Sequence, residues 1–436
     1  MLVRELSGLL PSTPSSGPSS GPSSGPSSGQ SSRTSVALAA APLVLLAIAA
    51  CGSPRTVPSD EALRTAEVVD RAETKRVLDD AVARLVDRIE RESDEDGRGS
   101  IDMLAMSGGA DYGAFGAGVL IGWGEVEDPA MGRPEFDGVT GVSTGALLAP
   151  FAFLGTDADL LEVESLYRDP RKDWIVLRGL FPYLPWNASL ATIPGLERAM
   201  DGVIDERFVG RLAEGAREGR LLAVSSTDLD LGRQTIWNIG VEAEAAALAG
   251  DPTLIRRRLI ASASVPVLFP PIVMDDRLYV DGGVTANVLL RLAPHDAAGF
   301  VQRWRREQPG RPWPRMRYWI ILNNFEHHPP KLVQPRWGSI LTPALEVVIR
   351  SATIAEIRWL AAEADSCNAV FGTEIEVRVL AIPDEWRPPV EGAFRKETMN
   401  SLADLGRKIG RDPASWRLWT VPLDGTLDGG TRPSVQ

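Results

Sequence analysis

The sequence predicts an α/β layered domain, with strands alternating with helices, and three stretches carry that expectation. Residues 101–106 form an apolar run that passes through Ser107-Gly108-Gly109-Ala110 into a helix of small residues beginning near Gly113. Residues 136–155 read as a strand ending at Val142, a sharp turn at Ser143 between Gly141 and Gly145, and a small-residue apolar helix. Residues 277–280 make a short strand that stops on Asp281-Gly282-Gly283. In each case a strand runs out into glycine, where backbone can turn sharply and pass close to a neighbour.

At 436 residues with 44% hydrophobic content, the chain can build a substantial core over most of its length. A formal net charge of -12, with no long basic run, argues against nucleic acid as a partner. Membrane contact stays open, since apolar insertion or a lipid anchor needs no positive charge. Cys51 and Cys367 are the two cysteines, too few for a disulfide framework or a Cys-rich zinc site. The histidines are His295, His327 and His328, and nothing in the pattern implies a metal or an organic cofactor.

Taken in order, residues 1–35 are dominated by a Gly-Pro-Ser-Ser repeat that cannot bury enough apolar surface to offset chain entropy, and disorder is expected there. Residues 36–51 hold an apolar run and then Cys51; the run is short for a membrane span and fits a signal-peptide core. Its end, Ile48-Ala49-Ala50-Cys51, resembles the lipobox of bacterial lipoproteins. That resemblance implies cleavage, lipidation of Cys51, and export to a bacterial cell envelope with the chain anchored on a membrane surface. An uncleaved N-terminal anchor is the alternative. Residues 52–95 then supply a tether and an amphipathic helix, or two, from Asp60 to Glu92, with Val82, Leu85, Val86 and Ile89 on a face expected to pack on the domain.

The main domain is expected over residues 96–412, with a tail at 413–436. Residues 169–193, rich in Trp, Pro and Leu, read as a loop or cap over the site. Residues 221–226 and 234–239 flank Asp228-Leu229-Asp230-Leu231-Gly232-Arg233 as the strands of a hairpin. A helix over 251–263, opened by Asp251-Pro252, leads into an apolar loop whose three prolines exclude a central strand, and Asp275-Asp276 makes a turn. A strand at 317–323, a long helix at 339–367, a strand at 374–382 and a helix at 396–409 complete the alternation.

Gly-x-Ser-x-Gly also occurs within the N-terminal repeat between Gly17 and Gly29, and Asp-Gly-Gly recurs at Asp428, but no strand precedes those copies. Ser143 is therefore the candidate nucleophile, on a turn that lifts its hydroxyl above the strand ends. Around Gly108 and Gly109, a strand passing through glycines exposes N–H groups at a helix start, which suits a phosphate cradle or an oxyanion hole. A Walker-type loop is excluded because no lysine stands there. Asp281, at a strand terminus before two glycines, is placed to act as a base. Taken singly, Ser143 also reads as a helix cap, and Asp281 and Gly108-Gly109 as turn residues.

Together and in this order, Gly108-Gly109-Ala110 with Gly113, Gly141-Val142-Ser143-Thr144-Gly145, and Asp281-Gly282-Gly283 after its apolar loop resemble the patatin-like phospholipase family, over about residues 100–290. The resemblance implies a three-layer α/β/α sandwich with a mainly parallel central sheet. It further implies a cofactor-free serine acyl hydrolase in which Ser143 attacks an ester carbonyl and Asp281 handles the proton. Backbone N–H groups of Gly108, Gly109 and Ala110 would form the oxyanion hole, and the substrates would be glycerophospholipids or other lipid acyl esters. Two positions depart from the family pattern: Ala110 replaces a third glycine and Tyr112 a basic residue. Alanine still offers its N–H, whereas losing the cation weakens a phospholipase reading more than an esterase reading. Two other readings stay open, a Ser-His-Asp esterase with His295 or His327 as third member, and a non-catalytic envelope lipoprotein that binds lipid or a partner.

Overall fold

Alternation along the strands sorts the apolar side chains into two cores, one on each face of a central sheet. In β1 (Ser100–Met106), Ile101, Met103 and Ala105 join one core, and Leu104 and Met106 the other. The computed structural model describes residues 58–93, 99–179, 187–289, 299–327, 330 and 332–420. The N-terminal repeat, the apolar run with Cys51, His295, His328 and Asp428 lie outside the described residues.

The chain begins with α1 (Asp60–Glu92), a single helix capped by Ser59, and passes through β1 to a 3-10 turn (Ala110–Tyr112) and α2 (Gly113–Gly124). β2 (Gly138–Val142), α3 (Thr144–Leu154) and α4 (Asp157–Arg168) follow. The short strands β3 (Val176–Leu177) and β4 (Ala191–Thr192) pair antiparallel before α5 (Pro194–Val203) and α6 (Glu206–Arg217). Next come β5 (Leu221–Asp228), β6 (Arg233–Asn238), α7 (Ile239–Ala249), α8 (Thr253–Ser262), β7 (Ile272–Met274) and β8 (Arg277–Asp281). The described chain closes with α9 (Phe300–Glu307), β9 (Arg315–Phe325), α10 (Trp337–Phe371), β10 (Glu374–Ile382), α11 (Lys396–Gly410) and β11 (Arg417–Leu418).

β10, β9, β1, β2 and β5 run parallel side by side, and antiparallel strands occupy the flanks. Helices α2 to α8 and α11 cover one face, while α1, α9 and α10 cover the other. This is the three-layer α/β/α arrangement. The C-terminal half of α1, through Val82, Leu85, Val86 and Ile89, and β11 both belong to the folded unit, on either side of residues 96–412. Among the described residues no helix is long and apolar enough to cross a membrane. The chain leaves β1 toward β2 on one side and returns to β9 on the other, so a topological switch lies at their C-terminal ends, where open α/β sheets place ligands.

Against the sheet, α2 is apolar on all sides and packs on α11 without side-chain spacers. A Cβ at Gly118 would sit 2.1 Å from the carbonyl oxygen of Ala403, and one at Gly406 2.1 Å from that of Phe115. Backbone meets backbone there, so neither helix can yield without shifting. Gly118→Ala is expected to lower the unfolding free energy by about 2–3 kcal/mol, the cost of overpacking a close contact, read from urea denaturation.

Candidate active site

Ser143 occupies the single residue between β2 and α3, at φ 54° and ψ −124°. A non-glycine residue held there stores strain of about 1–3 kcal/mol, which persists only when the surroundings enforce it. They do so through close approach: a Cβ at Gly141 would lie 2.2 Å from the carbonyl oxygen of Gly145, and one at Gly145 2.2 Å from that of Met106. Behind the turn, the Ser143 N–H donates to Ser262 Oγ at 3.0 Å, and the Ser262 hydroxyl donates to the Ser225 carbonyl at 2.6 Å. The Ser143 side chain makes no helix-capping bond, so the plain reading of this serine does not hold.

Sheet register brings Asp281 to it. β6 pairs with β5 along residues 223–228, leaving the other edge of β5 to two partners. β2 takes that edge as far as Val142 opposite Ser225, and β8 takes it from Asp281 opposite Ser226. Residues 142 and 281 are thus neighbours along one ladder, though far apart in sequence. The Ser143 hydroxyl faces the Asp281 carboxylate and lowers its pKa, but burial outweighs this and pushes the pKa up to about 6. Oδ1 also accepts from the Gly283 N–H at 2.7 Å, while Oδ2 is buried without a partner of tight hydrogen-bond geometry. A loose contact of this kind is usual before substrate binds.

The glycine turn after β1 lies against the same serine: a Cβ at Gly108 would come within 2.9 Å of Ser143 Cβ. Its three N–H groups are not equivalent. That of Gly108 is engaged by Asn287, through the carbonyl oxygen at 3.3 Å and Oδ1 at 3.1 Å. Those of Gly109 and Ala110 donate to no acceptor among the described residues. Ala110 stands at φ 53°, the left-handed region that the missing third glycine would occupy without strain.

Two asparagines that sequence reasoning missed hold this turn. Asn323, fully buried on β9, donates from Nδ2 to the Ser107 carbonyl at 2.8 Å and accepts the Gly116 N–H at 3.0 Å. Asn287 ties the turn to α10 by donating to Thr353 Oγ1 at 3.1 Å. The available signal was an asparagine inside an otherwise apolar strand, a polar group that must find partners when buried. Tyr112, where a basic residue was noted as usual, is buried edge-on against Phe325 and Trp386, at 6.1 and 5.7 Å between ring centroids.

Beside Ser143 a largely apolar cavity opens onto solvent. Leu147, Phe151, Trp174, Val265 and Phe269 are among its walls. The hydroxyls of Thr144 and Tyr167, also at its wall, bond to each other. His327 is exposed, with Nδ1 3.1 Å from Asp384 Oδ2, and among the described residues no histidine bonds to Ser143 or Asp281.

Residues 104–294 match the family model described as patatin-like phospholipase. This stretch is a patatin-like phospholipase domain. It runs from within β1 to just beyond Asn287, so the patatin-like domain model includes the serine turn, the Asp281 strand and most of the cavity wall. A curated relative, Uncharacterized protein R571 of Acanthamoeba polyphaga mimivirus, is 24% identical over 198 residues, 45% of this chain and 62% of that protein. The match thus spans less than two thirds of that relative's own length. Among solved structures, VipD from Legionella pneumophila aligns with a TM-score of 0.33 at 10% identity, covering 76% of this chain and 70% of that one.

Proposed function

We propose that the patatin-like domain is a carboxylic ester hydrolase that cleaves lipid acyl esters through a Ser143–Asp281 dyad. The observation that carries this reading is the shared edge of β5, which sets a buried carboxylate against the serine hydroxyl at the mouth of an apolar cavity. The acyl chain lies in the cavity with its carbonyl carbon over Ser143 Oγ. Asp281 takes the hydroxyl proton as Oγ attacks, and the oxyanion meets the free N–H groups of Gly109 and Ala110. Each such donor lowers the barrier by ~3 kcal/mol. Collapse of the intermediate returns the proton to the leaving alcohol and leaves an acyl-serine, and a water activated by Asp281 then releases the fatty acid. With Tyr112 in an aromatic cluster, no side chain at that position supplies a cation for a lipid phosphate, which favours esters of broad head-group type. The apolar run before Cys51 supports lipidation there and a membrane-anchored place in a bacterial envelope.

Asp281 works as a base only when ionised, so kcat/KM is expected to rise with pH and reach half its plateau near pH 6. A rate profile on a p-nitrophenyl ester reads this limb. The reading as a whole is tested by fatty-acid release from a panel of phospholipids and p-nitrophenyl esters, together with mapping of a fluorophosphonate adduct. Ester turnover with the adduct on the peptide carrying Ser143 is the expected result. Folded protein that releases no acid and takes no label would instead be a lipid-binding protein.

A further inference from the structure

The rim of the cavity has a composition that its walls do not explain. Along residues 174–177, Trp174 and Ile175 line the cavity, while Val176 and Leu177 turn outward and are 42% and 45% exposed. The facing loop repeats the pattern, with Val265 and Phe269 inward and Val267 58% exposed. Val267 is held at φ 69°, a backbone conformation that β-branched residues avoid, so the outward valine is enforced. The restraint is visible: Leu190 N–H donates to the Val267 carbonyl at 2.8 Å, Ala191 N–H to that of Leu268 at 3.0 Å, and Arg178 N–H to that of Leu190 at 2.9 Å. Both outward-facing groups therefore sit on one hydrogen-bonded rim.

Charge on this rim runs against the rest of the chain. Residues 171–178 hold Arg171, Lys172 and Arg178 against Asp173 alone, a net of +2 in a chain of net charge -12. Asp173 is itself paired, with Arg171 at 3.2 Å and with Arg198. Lys172 is exposed and forms no ion pair among the described residues.

We propose that this rim docks on an anionic lipid surface, with Val176, Leu177 and Val267 entering the acyl boundary and the basic residues meeting the head groups. Apolar insertion beside basic side chains is what binds proteins to such surfaces. The inference rests on the cavity being an acyl site, because docking there sets its mouth against lipid so that a chain can pass inside without crossing water.

The test uses the full chain in a Ser143→Ala, Cys51→Ser background, in which Cys367 remains buried. An environment-sensitive fluorophore is placed at Leu177→Cys or, as control, at Leu248→Cys on α7, where the native side chain is 91% exposed. Phosphatidylglycerol vesicles are expected to blue-shift the probe at 177 and leave the one at 248 unchanged, with a weaker response to phosphatidylcholine. Lys172→Glu with Arg178→Glu is expected to raise the half-saturating lipid concentration about 10-fold or more. A probe at 177 that stays in water, equal shifts at 177 and 248, or a shift without vesicles that grows with protein concentration would each overturn the proposal, the last pointing to a second copy as occupant. Turnover of p-nitrophenyl butyrate by the wild type is measured in parallel. Turnover without insertion at 177 defeats the docking and leaves the hydrolase, whereas insertion without turnover defeats the hydrolase and leaves a lipid-docking rim.

Discussion

Ser143→Ala is expected to lower kcat for ester hydrolysis by about 10⁴-fold or more, with the fold retained, because a covalent route has no substitute for its nucleophile. The substitution keeps the strained turn: alanine meets the same φ of 54°, the Gly141 and Gly145 contacts remain, and the backbone N–H still reaches Ser262. It removes the hydroxyl that lowers the pKa of Asp281, so the carboxyl is expected to titrate higher than in the wild type. Residual turnover would come from the cavity and the N–H groups at Gly109 and Ala110, as in other hydrolases stripped of their serine. Fatty-acid release beside a thermal melt reads both parts. A variant within tenfold of wild-type activity would remove Ser143 from the chemistry.

Asp281→Asn is expected to cost about 10²–10⁴-fold in kcat while making the protein more stable at alkaline pH. The buried carboxyl has a pKa of about 6 in the fold, against roughly 3.9 in an unfolded chain. Between those values the folded state binds more protons, so this group's contribution to stability falls as pH rises through the window and stays at its full cost above it. Asparagine does not titrate, and its side-chain oxygen can still accept from the Gly283 N–H. Urea unfolding is therefore expected to favour the variant by about 1–3 kcal/mol at pH 8, with the gain shrinking toward pH 4. A variant less stable than wild type at pH 8 would mean that Asp281 is a structural anchor rather than a strained base. The opposite signs for activity and stability separate this from a simple loss of folding.

The parts legible from sequence are those whose cause is local. The turn at residues 141–145 could be read because two glycines flank a serine where strand, turn and helix must cross at backbone contact. The strand over 374–382 and the Asp275-Asp276 turn were likewise fixed by apolar runs and turn chemistry. Between residues 156 and 250, α4 to α7 went unread; the run of small residues in α7 carries little apolar period, whereas α5 and α6 do carry a helical one and were legible in principle. Helix α8 starts at Thr253 rather than Asp251, with Asp251 Oδ1 accepting the Thr253 N–H at 2.9 Å. Long-range pairing was beyond reach: nothing near Gly108 announces that Asn287 will occupy its N–H, and nothing near Ser262 announces a brace for Ser143. The roles assigned to Ser143 and Asp281 came from the order of the motifs rather than from any one of them.

Because β2 and β8 abut along one strand, the spacing between hydroxyl and carboxylate is set by the hydrogen-bond lattice of the sheet together with the one-residue turn at Ser143, and not by the longer loops around the cavity. The walls around them come from other segments, including residues 174–175, 265–269 and Phe394. Evolution, or an engineer, can therefore recut the walls to suit a different ester while the reacting pair keeps its alignment. The converse also holds: one residue inserted between Ser225 and Ser226 would pull the pair out of step while leaving every wall in place.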